Sequence, residues 1–196
     1  MWFLTGTITN AKDNRRYIPV HELSRSLSPT DCQILPVGYA LTGCDTTSSL
    51  FRIGKQSIFK LLRNCPEQYP ELAKVGDVDS SAGLNAARKL ITSLYDLKKK
   101  FVSCHENLNK LRVKLATCKD TSLVRLPPSE PFLYQHVLRA SLQTKIWLSS
   151  NIAKPPPLSP YDYGWRTDAA GPLPLFYEGL RLQIFCNILF ALAKET

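Results

Sequence analysis

One stretch of the sequence carries residues whose types and spacing could do chemistry, and it runs from Leu41 to Leu62. Its first half holds Asp45 in a turn of small residues, and carboxylate oxygens are ligands that Mg²⁺ prefers. Its second half holds Gly54 and Lys55 where a helix is predicted to begin. A glycine at that place lets a phosphate approach the free amides of a helix N-terminus, and a lysine adds positive charge.

Each of these residues also has a simpler structural interpretation. Asp45 precedes Thr46-Thr47-Ser48 and could cap a helix, which is worth about 0.5–2 kcal/mol. From the residues alone, capping is the stronger interpretation. Arg52, Lys60 and the Lys98–Lys100 cluster could form a solvated basic face. For Lys55, phosphate contact and a solvated position both stay open.

The same stretch resembles the flap-endonuclease and PIN-like nuclease superfamily, where an aspartate in a Gly-Cys/Ser-Asp turn precedes a Gly-Ile-Gly hairpin. The matching residues here are Gly43-Cys44-Asp45 and Ile53-Gly54-Lys55, with Arg52 in place of the first hairpin glycine. The resemblance implies that Asp45 would bind a catalytic metal such as Mg²⁺. It also implies a DNA-phosphate grip, and the residues expected to form it are Arg52, Ile53, Gly54, Lys55 and Lys60.

The carboxylates that a nuclease of this kind needs are mostly missing from the sequence. Two-metal hydrolysis requires several clustered carboxylates that hold two Mg²⁺ ions about 4 Å apart. No Asp-x-Asp pair precedes Asp45, and Asp13 and Asp31 stand alone in predicted loops. The sequence therefore predicts no certain catalytic residue and a chain that is inactive as given.

A closer resemblance covers almost the whole chain. It is to a group of uncharacterised, transposon-associated animal proteins with a PIN-like fold. In that group an upstream strand carries an Asp-x-Asp pair and a Cys-rich segment follows the C-terminal arm. Their absence here implies a truncated or alternatively spliced product. The matching stretches are Trp2–Thr7, Arg15–Pro19, Leu41–Lys55, Leu108–Leu115, Gln135–Trp147 and Tyr163–Trp165.

Apolar spacing predicts a mainly α fold with short N-terminal strands. Met1–Leu4 and Arg15–Val20 are typical of strands, at the edge of an α/β sheet whose remainder is missing. Helices are predicted over His21–Leu27, Lys55–Arg63, His105–Thr117 and Phe132–Ser150. Two further helices are predicted, one that begins after a cap at Thr30 or Asp31 and one that ends at Leu94. Their expected buried stripes are Ile58, Leu61 and Leu62 with Phe59; Leu84, Ala87, Leu90, Ile91 and Leu94; and Leu133, Val137, Ala140, Thr144 and Trp147.

The chain divides into two regions by composition. Residues 1–152 are predicted to form a partial PIN-like domain, with a helical hairpin at 41–63 and a helical bundle at 81–150. Residues 153–196 contain a proline-rich, aromatic arm followed by an apolar segment, Leu182–Leu192, predicted as a short amphipathic helix. The arm is expected to dock onto its own helices or to await a protein partner.

Composition limits the class of protein and of partner. The 196 residues carry a net charge of +9, which favours polyanions such as DNA. The six cysteines form no C-x-x-C pair and the three histidines are scattered, so we expect free thiols, an intracellular location and no zinc. No apolar run is long enough to predict a membrane span. A nuclear location follows only from the inferred DNA partner.

Three functional hypotheses remain open at this point. The first is a nucleic-acid-binding remnant of a PIN-like nuclease that contacts DNA phosphate without reading sequence. The second is a metal-dependent nuclease, which requires additional carboxylates encoded upstream. The third is a protein-interaction protein or a non-functional transposon relic.

Overall fold

Helices are the main secondary structure of the described residues, as predicted. The computed structural model describes residues 1–9, 12–76, 81–118 and 123–176. No helix within these ranges is long and apolar enough to cross a membrane. The helices are α1 (Val20–Ser26), α2 (Pro29–Leu41), α3 (Lys55–Asn64), α4 (Ser81–Tyr95), α5 (Leu108–Ala116) and α6 (Glu130–Leu148), with short 3₁₀ turns at Pro66–Gln68, Pro70–Gly76, Val102–Cys104, Leu123–Arg125 and Pro160–Tyr163.

The strands form three separate antiparallel pairs. They are β1 (Trp2–Thr5) with β4 (Arg16–Pro19), β2 (Ile8–Thr9) with β3 (Lys12–Asp13), and β5 (Trp165–Asp168) with β6 (Gly171–Pro174). The two predicted N-terminal strands are thus confirmed, and they pair with each other from Trp2–Pro19 to Thr5–Arg16. Within the described ranges no strand is added to this pair, so the PIN-like sheet stays a prediction.

Helix α2 begins earlier than predicted. The N-cap is Ser28, whose hydroxyl accepts from the Asp31 amide at 3.0 Å, while Asp31 Oδ2 accepts from the Ser28 amide at 3.2 Å. This reciprocal capping box leaves Pro29 in the first turn, where a missing N–H costs nothing. The predicted cap at Thr30 or Asp31 was therefore wrong by two or three residues.

A single hydrophobic core joins α2, α3, α4, α5, α6 and the Pro70–Gly76 turn. Most of the predicted stripes are confirmed: Ala87, Leu90, Ile91 and Leu94 of α4 are buried, as are Leu133, Val137, Ala140 and Thr144 of α6. Helix α6 is also buried on its other side, where Gln135, His136 and Arg139 are at most 5% exposed. A helix buried on both sides must be covered by another part of the chain.

The aromatic arm provides that cover. The Tyr163 side chain is buried and its hydroxyl accepts from Lys145 Nζ at 3.0 Å. Arg139 donates to the carbonyls of Gly164 and Leu175, which ties α6 to both ends of the β5–β6 hairpin. Docking of the arm onto its own helices is thus confirmed, but the hairpin within it was not predicted. The predicted helix at Leu182–Leu192 lies outside the described residues.

A buried carboxylate organises the connection between α4 and α5. Asp96 is 4% exposed and accepts from the amides of Lys100 at 2.9 Å and Phe101 at 2.8 Å, and from His105 Nε2 at 3.0 Å. This pairing places His105 before α5, which begins at Leu108 under an Asn107 cap, so the predicted helix start at His105 was wrong. Burial raises the pKa of Asp96, but these three hydrogen bonds outweigh it and leave that pKa lowered.

We expect Asp96→Asn to lower the free energy of unfolding by about 2–3 kcal/mol at pH 7, because charge-assisted hydrogen bonds are lost in a buried place. Since the folded-state pKa is lowered, the stabilisation is present above the unfolded value of about 4 and is lost as pH falls through the folded value. Urea unfolding at a series of pH values measures the loss of stability and its dependence on pH. Asp45→Asn, at an exposed carboxylate, is the control, and an equal effect of the two substitutions would refute the role of Asp96.

Candidate nucleic-acid interface

Helices α2 and α3 pack closely against each other, and this pair is called the α2–α3 hairpin below. Of the helical hairpin predicted at 41–63, the structure contains the second helix, α3, whereas residues 43–54 form turns and loops. A Cβ atom added to Gly38 would lie 3.1 Å from the Cδ1 atoms of both Ile58 and Leu62, so glycine allows this approach. Ile58 and Leu62 are buried as predicted. Phe59 is 38% exposed, so the prediction that it widens the buried face was wrong.

Lys55 lies at the first turn of α3 but points back toward the end of α2. Its Nζ donates to the carbonyl oxygen of Tyr39 at 2.5 Å, to Thr42 Oγ1 at 3.1 Å and to the carbonyl oxygen of Gly43. It also lies 3.7 Å from the centroid of the Tyr39 ring. An ammonium group has three donors, and all three are used here. Burial lowers the pKa of Lys55, partly opposed by the nearby Cys44.

The three donors of Lys55 are thus used within the protein, and its contact with a DNA phosphate stays a prediction. Its donors stabilise the carbonyl end of α2, where a positive charge is favourable, and none is directed at a phosphate outside the protein. Sequence reasoning placed Lys55 correctly at the start of α3 but missed this contact, because its acceptors lie 12 to 16 residues earlier in the chain.

Other side chains complete the end of α2. Thr47 Oγ1 donates to the Ala40 carbonyl at 2.7 Å, and His136 Nε2 lies 2.8 Å from the Leu41 carbonyl. Since a carbonyl oxygen only accepts, His136 Nε2 carries the hydrogen. Burial lowers the pKa of His136, and the charges of Arg139 and Lys55 lower it further. The chain leaves the direction of α2 at Gly43, two residues after the helix ends; Gly43 has a φ of 101°, and a Cβ added to it would meet the Ser49 backbone at 2.5 Å.

Asp45 lies exposed at the tip of a tight turn. Cys44 and Thr47 close this turn with backbone hydrogen bonds of 3.0 and 3.2 Å. The next helix begins only at Lys55, so the predicted capping role of Asp45 was wrong. Among the described residues, no three His, Cys, Asp or Glu side chains are grouped so that they could hold a metal ion. Metal binding by Asp45 stays a prediction.

The thiol beside Asp45 has an unusual environment. Cys44 Sγ is 3.1 Å from Thr47 Oγ1 and 3.4 Å from Thr46 Oγ1. Burial raises the pKa of Cys44, but hydrogen bonding with the side chains and backbone of Thr46 and Thr47 outweighs it and leaves the pKa lowered. Thr46 Oγ1 also donates to Gln143 Oε1 at 2.6 Å, so the turn is fixed against α6.

The outer face of the hairpin carries positive charge. Arg52, Lys60 and Arg63 are exposed, and none of them forms an ion pair with a described residue. Lys60 and Arg63 are three residues apart, so they share one face of α3, together with Gln56 one turn earlier. Helix α3 contains no Asp or Glu. Arg63 was not predicted as a site residue, although its spacing from Lys60 was a usable signal.

The loop before α3 leaves the helix N-terminus open. Gly54 is the N-cap, makes no side-chain cap, and a Cβ added to it would meet nothing within 4 Å. Arg52 has a φ of 59°, the left-handed conformation that glycine favours, at the place where the resembled family has a glycine. The neighbouring Ile53 is half-buried and packs against the core, so it anchors this loop.

Substituting Lys55→Met tests the internal role of this lysine. We expect the free energy of unfolding to fall by about 1–3 kcal/mol, because Thr42 and the carbonyl groups of Tyr39 and Gly43 lose the charged donor that Lys55 supplies. Lys60→Met on the exposed face is the matched control and should change stability by no more than about 0.5 kcal/mol. Urea or thermal unfolding measures the difference, and equal stabilities of the two variants would contradict the structure-based role.

Comparison of the chain with protein-family models, with curated proteins and with solved structures found no match. No relative therefore assigns an activity to the hairpin. Two features of the hairpin itself point to a ligand. They are the open N-terminus of α3 and the basic face beside it.

Proposed function

We propose that this protein binds the sugar–phosphate backbone of DNA, without reading sequence, through the α2–α3 hairpin. The contacts are made by the open N-terminus of α3 and by Arg52, Lys60 and Arg63. In this proposal the chain is a remnant of a PIN-like, flap-endonuclease-like nuclease and is inactive as given. The observation that carries it is the basic face of α3, whose charges have no acidic partner among the described residues.

Electrostatics support this proposal. Neutralising phosphates with Lys and Arg releases counterions, and that release drives sequence-independent binding. The chain as a whole carries +9, so no long-range repulsion opposes a polyanion. Lys60 and Arg63 need not give up an ion pair with a described residue when they bind phosphate.

Geometry supports it as well. The first amides of a helix lack intrahelical partners and carry partial positive charge, so they favour a phosphate. At α3 this end is unobstructed at Gly54, and the exposed side chains of Lys60 and Arg63 follow six and nine residues later. Such a line of donors suits a backbone that presents one phosphate after another.

Two other functions remain as alternatives. A metal-dependent nuclease needs carboxylates in addition to Asp45, and an encoded Asp-x-Asp strand upstream would favour it. A protein-interaction role or a non-functional relic gains support from the exposed aromatic residues of β1, where Trp2 is 60% and Phe3 59% exposed. Aggregation of the isolated chain, cured by removal of residues 182–196, would favour that alternative.

The salt dependence of DNA binding tests the basic face. Fluorescence anisotropy on duplex, single-stranded and flap DNA should show an affinity that falls with salt. For Lys60→Gln with Arg63→Gln, the slope of log K against log salt should become shallower by about 2, the loss of two phosphate contacts. Lys110→Gln with Lys114→Gln on α5 is the charge-matched control. Equal effects of the two pairs, or no binding at low salt, would refute the proposal.

Gly54→Ser separates DNA binding from folding. A serine N-cap can accept hydrogen bonds from the first amides of α3, so stability should rise by a few tenths of a kcal/mol. The same hydroxyl competes with phosphate for these amides, so DNA affinity should fall roughly threefold to tenfold, the worth of about one hydrogen bond. Unfolding and anisotropy measurements check the two effects. Unchanged affinity would show that phosphate does not approach Gly54.

A further inference from the structure

A cavity of about 180 Å³ lies between the first half of α6 and the loop that precedes α3. Aromatic side chains form much of its wall. Phe132 of α6 stacks on Phe176 of the arm, with 6.1 Å between the ring centroids, and Tyr95 and Phe51 also line the cavity. Since an apolar cavity of about 150 Å³ can hold one benzene molecule, this cavity has room for a single six-membered ring.

A buried cation lines the same cavity. Arg139 is 2% exposed and forms no ion pair with a described residue. Its Nη1 atom donates to the carbonyl oxygens of Gly164 at 3.2 Å and Leu175 at 2.5 Å, whereas the three donors on Nε and Nη2 form no hydrogen bond with a described residue. Among the described residues that line the cavity, none is Asp or Glu. Buried charges are normally paired, so Arg139 lacks the anion that its position requires.

The donors beside the aromatic wall suit a carboxylate. The Nε and Nη2 atoms of an arginine form a fork that matches the two oxygens of a carboxylate. Ser48 and Ser49 line the cavity as well and can add hydroxyl donors. Arg139 is the one Lys or Arg among the described lining residues, and a single positive charge suits a monoanion better than a phosphate dianion.

We propose that this cavity binds a small aromatic carboxylate, with its ring against Phe132 and Phe176 and its carboxylate on Arg139. Ring-on-ring packing is more favourable than the buried area alone, which favours an aromatic ligand over an aliphatic one. The inference is independent of DNA binding, because the cavity shares no residue with the basic face of α3 or with Gly54.

NMR titration of the intact chain with sodium benzoate, benzyl alcohol and sodium acetate tests this site. Benzoate should saturate a single site with a Kd on the order of 0.1 mM, which is within the range for a ligand of nine non-hydrogen atoms. Benzyl alcohol lacks the charge and acetate lacks the ring, so each should bind roughly tenfold more weakly or worse. An affinity of either probe equal to that of benzoate, or no binding of benzoate, would overturn the proposal.

Two substitutions separate the charge from the ring. Arg139→Gln should weaken benzoate binding roughly tenfold but change benzyl alcohol binding by no more than about twofold, and this contrast within one variant excludes unfolding as the cause. Phe51 is 44% exposed, so Phe51→Ala should spare the fold and weaken benzoate binding about fivefold. Tyr134→Ala is the control, because Tyr134 is 47% exposed on α6 and does not line the cavity. Equal effects of Phe51→Ala and Tyr134→Ala would contradict the proposed site.

The ring of His136 locates the ligand. His136 lines the cavity, and its Nε2 bonds to the Leu41 carbonyl. Burial lowers the pKa of His136 and the charge of Arg139 lowers it further, so a carboxylate on Arg139 should raise this pKa. The histidine ring signals, followed across pH with and without benzoate, measure the change, and His21, which does not line the cavity, is the internal reference. An unchanged pKa of His136 at saturating benzoate would place the ligand elsewhere and refute the assignment.

Discussion

The carbonyl end of α2 is the constraint on which the arrangement of the hairpin depends. The last carbonyls of a helix have no intrahelical partner, and α2 ends in the core, where Leu41 is 0% and Thr42 3% exposed. The carbonyls of Ala40 and Leu41 are buried away from water, so side chains must satisfy them. Lys55 from α3, His136 from α6 and Thr47 from the loop supply the donors. Three separate elements are fixed in position by one helix end.

This arrangement has a consequence for the outside of the molecule. With Lys55 turned inward, α3 presents its other cations, Lys60 and Arg63, to solvent, and its N-terminus stays open at Gly54. The first turn of α3 therefore has two roles. Its Lys55 stabilises the fold, and its free backbone amides remain available to a ligand. Cys44 and Asp45 lie in the turn between these parts, fixed against α6 through Thr46 and Gln143.

Local sequence patterns predicted the positions of the helices, but they did not predict the contacts between the helices. The bounds of α3 and the burial of Ile58 and Leu62 followed from apolar spacing, which acts within a few residues. The target of Lys55 did not, because it depends on where α2 ends. The β5–β6 hairpin was missed because Pro172 and Pro174 argue against a strand and its Ala169-Ala170 turn lacks the usual Asn-Gly signal. Asp45 looked like a cap because Thr and Ser follow it, but the chain closes a tight turn there instead.

The most direct test of the account is to map DNA contacts by ¹H–¹⁵N chemical-shift perturbation on the intact protein. We expect a short duplex to shift the amide signals of Gly54, Lys55 and Gln56 together with those around Lys60 and Arg63, while the amide signals of Thr42 and Gly43 at the end of α2 move little. Shifts confined to α5 and the Lys98–Lys100 loop, or no shifts at low salt, would contradict the claim that the outer side of the hairpin is the DNA-binding surface.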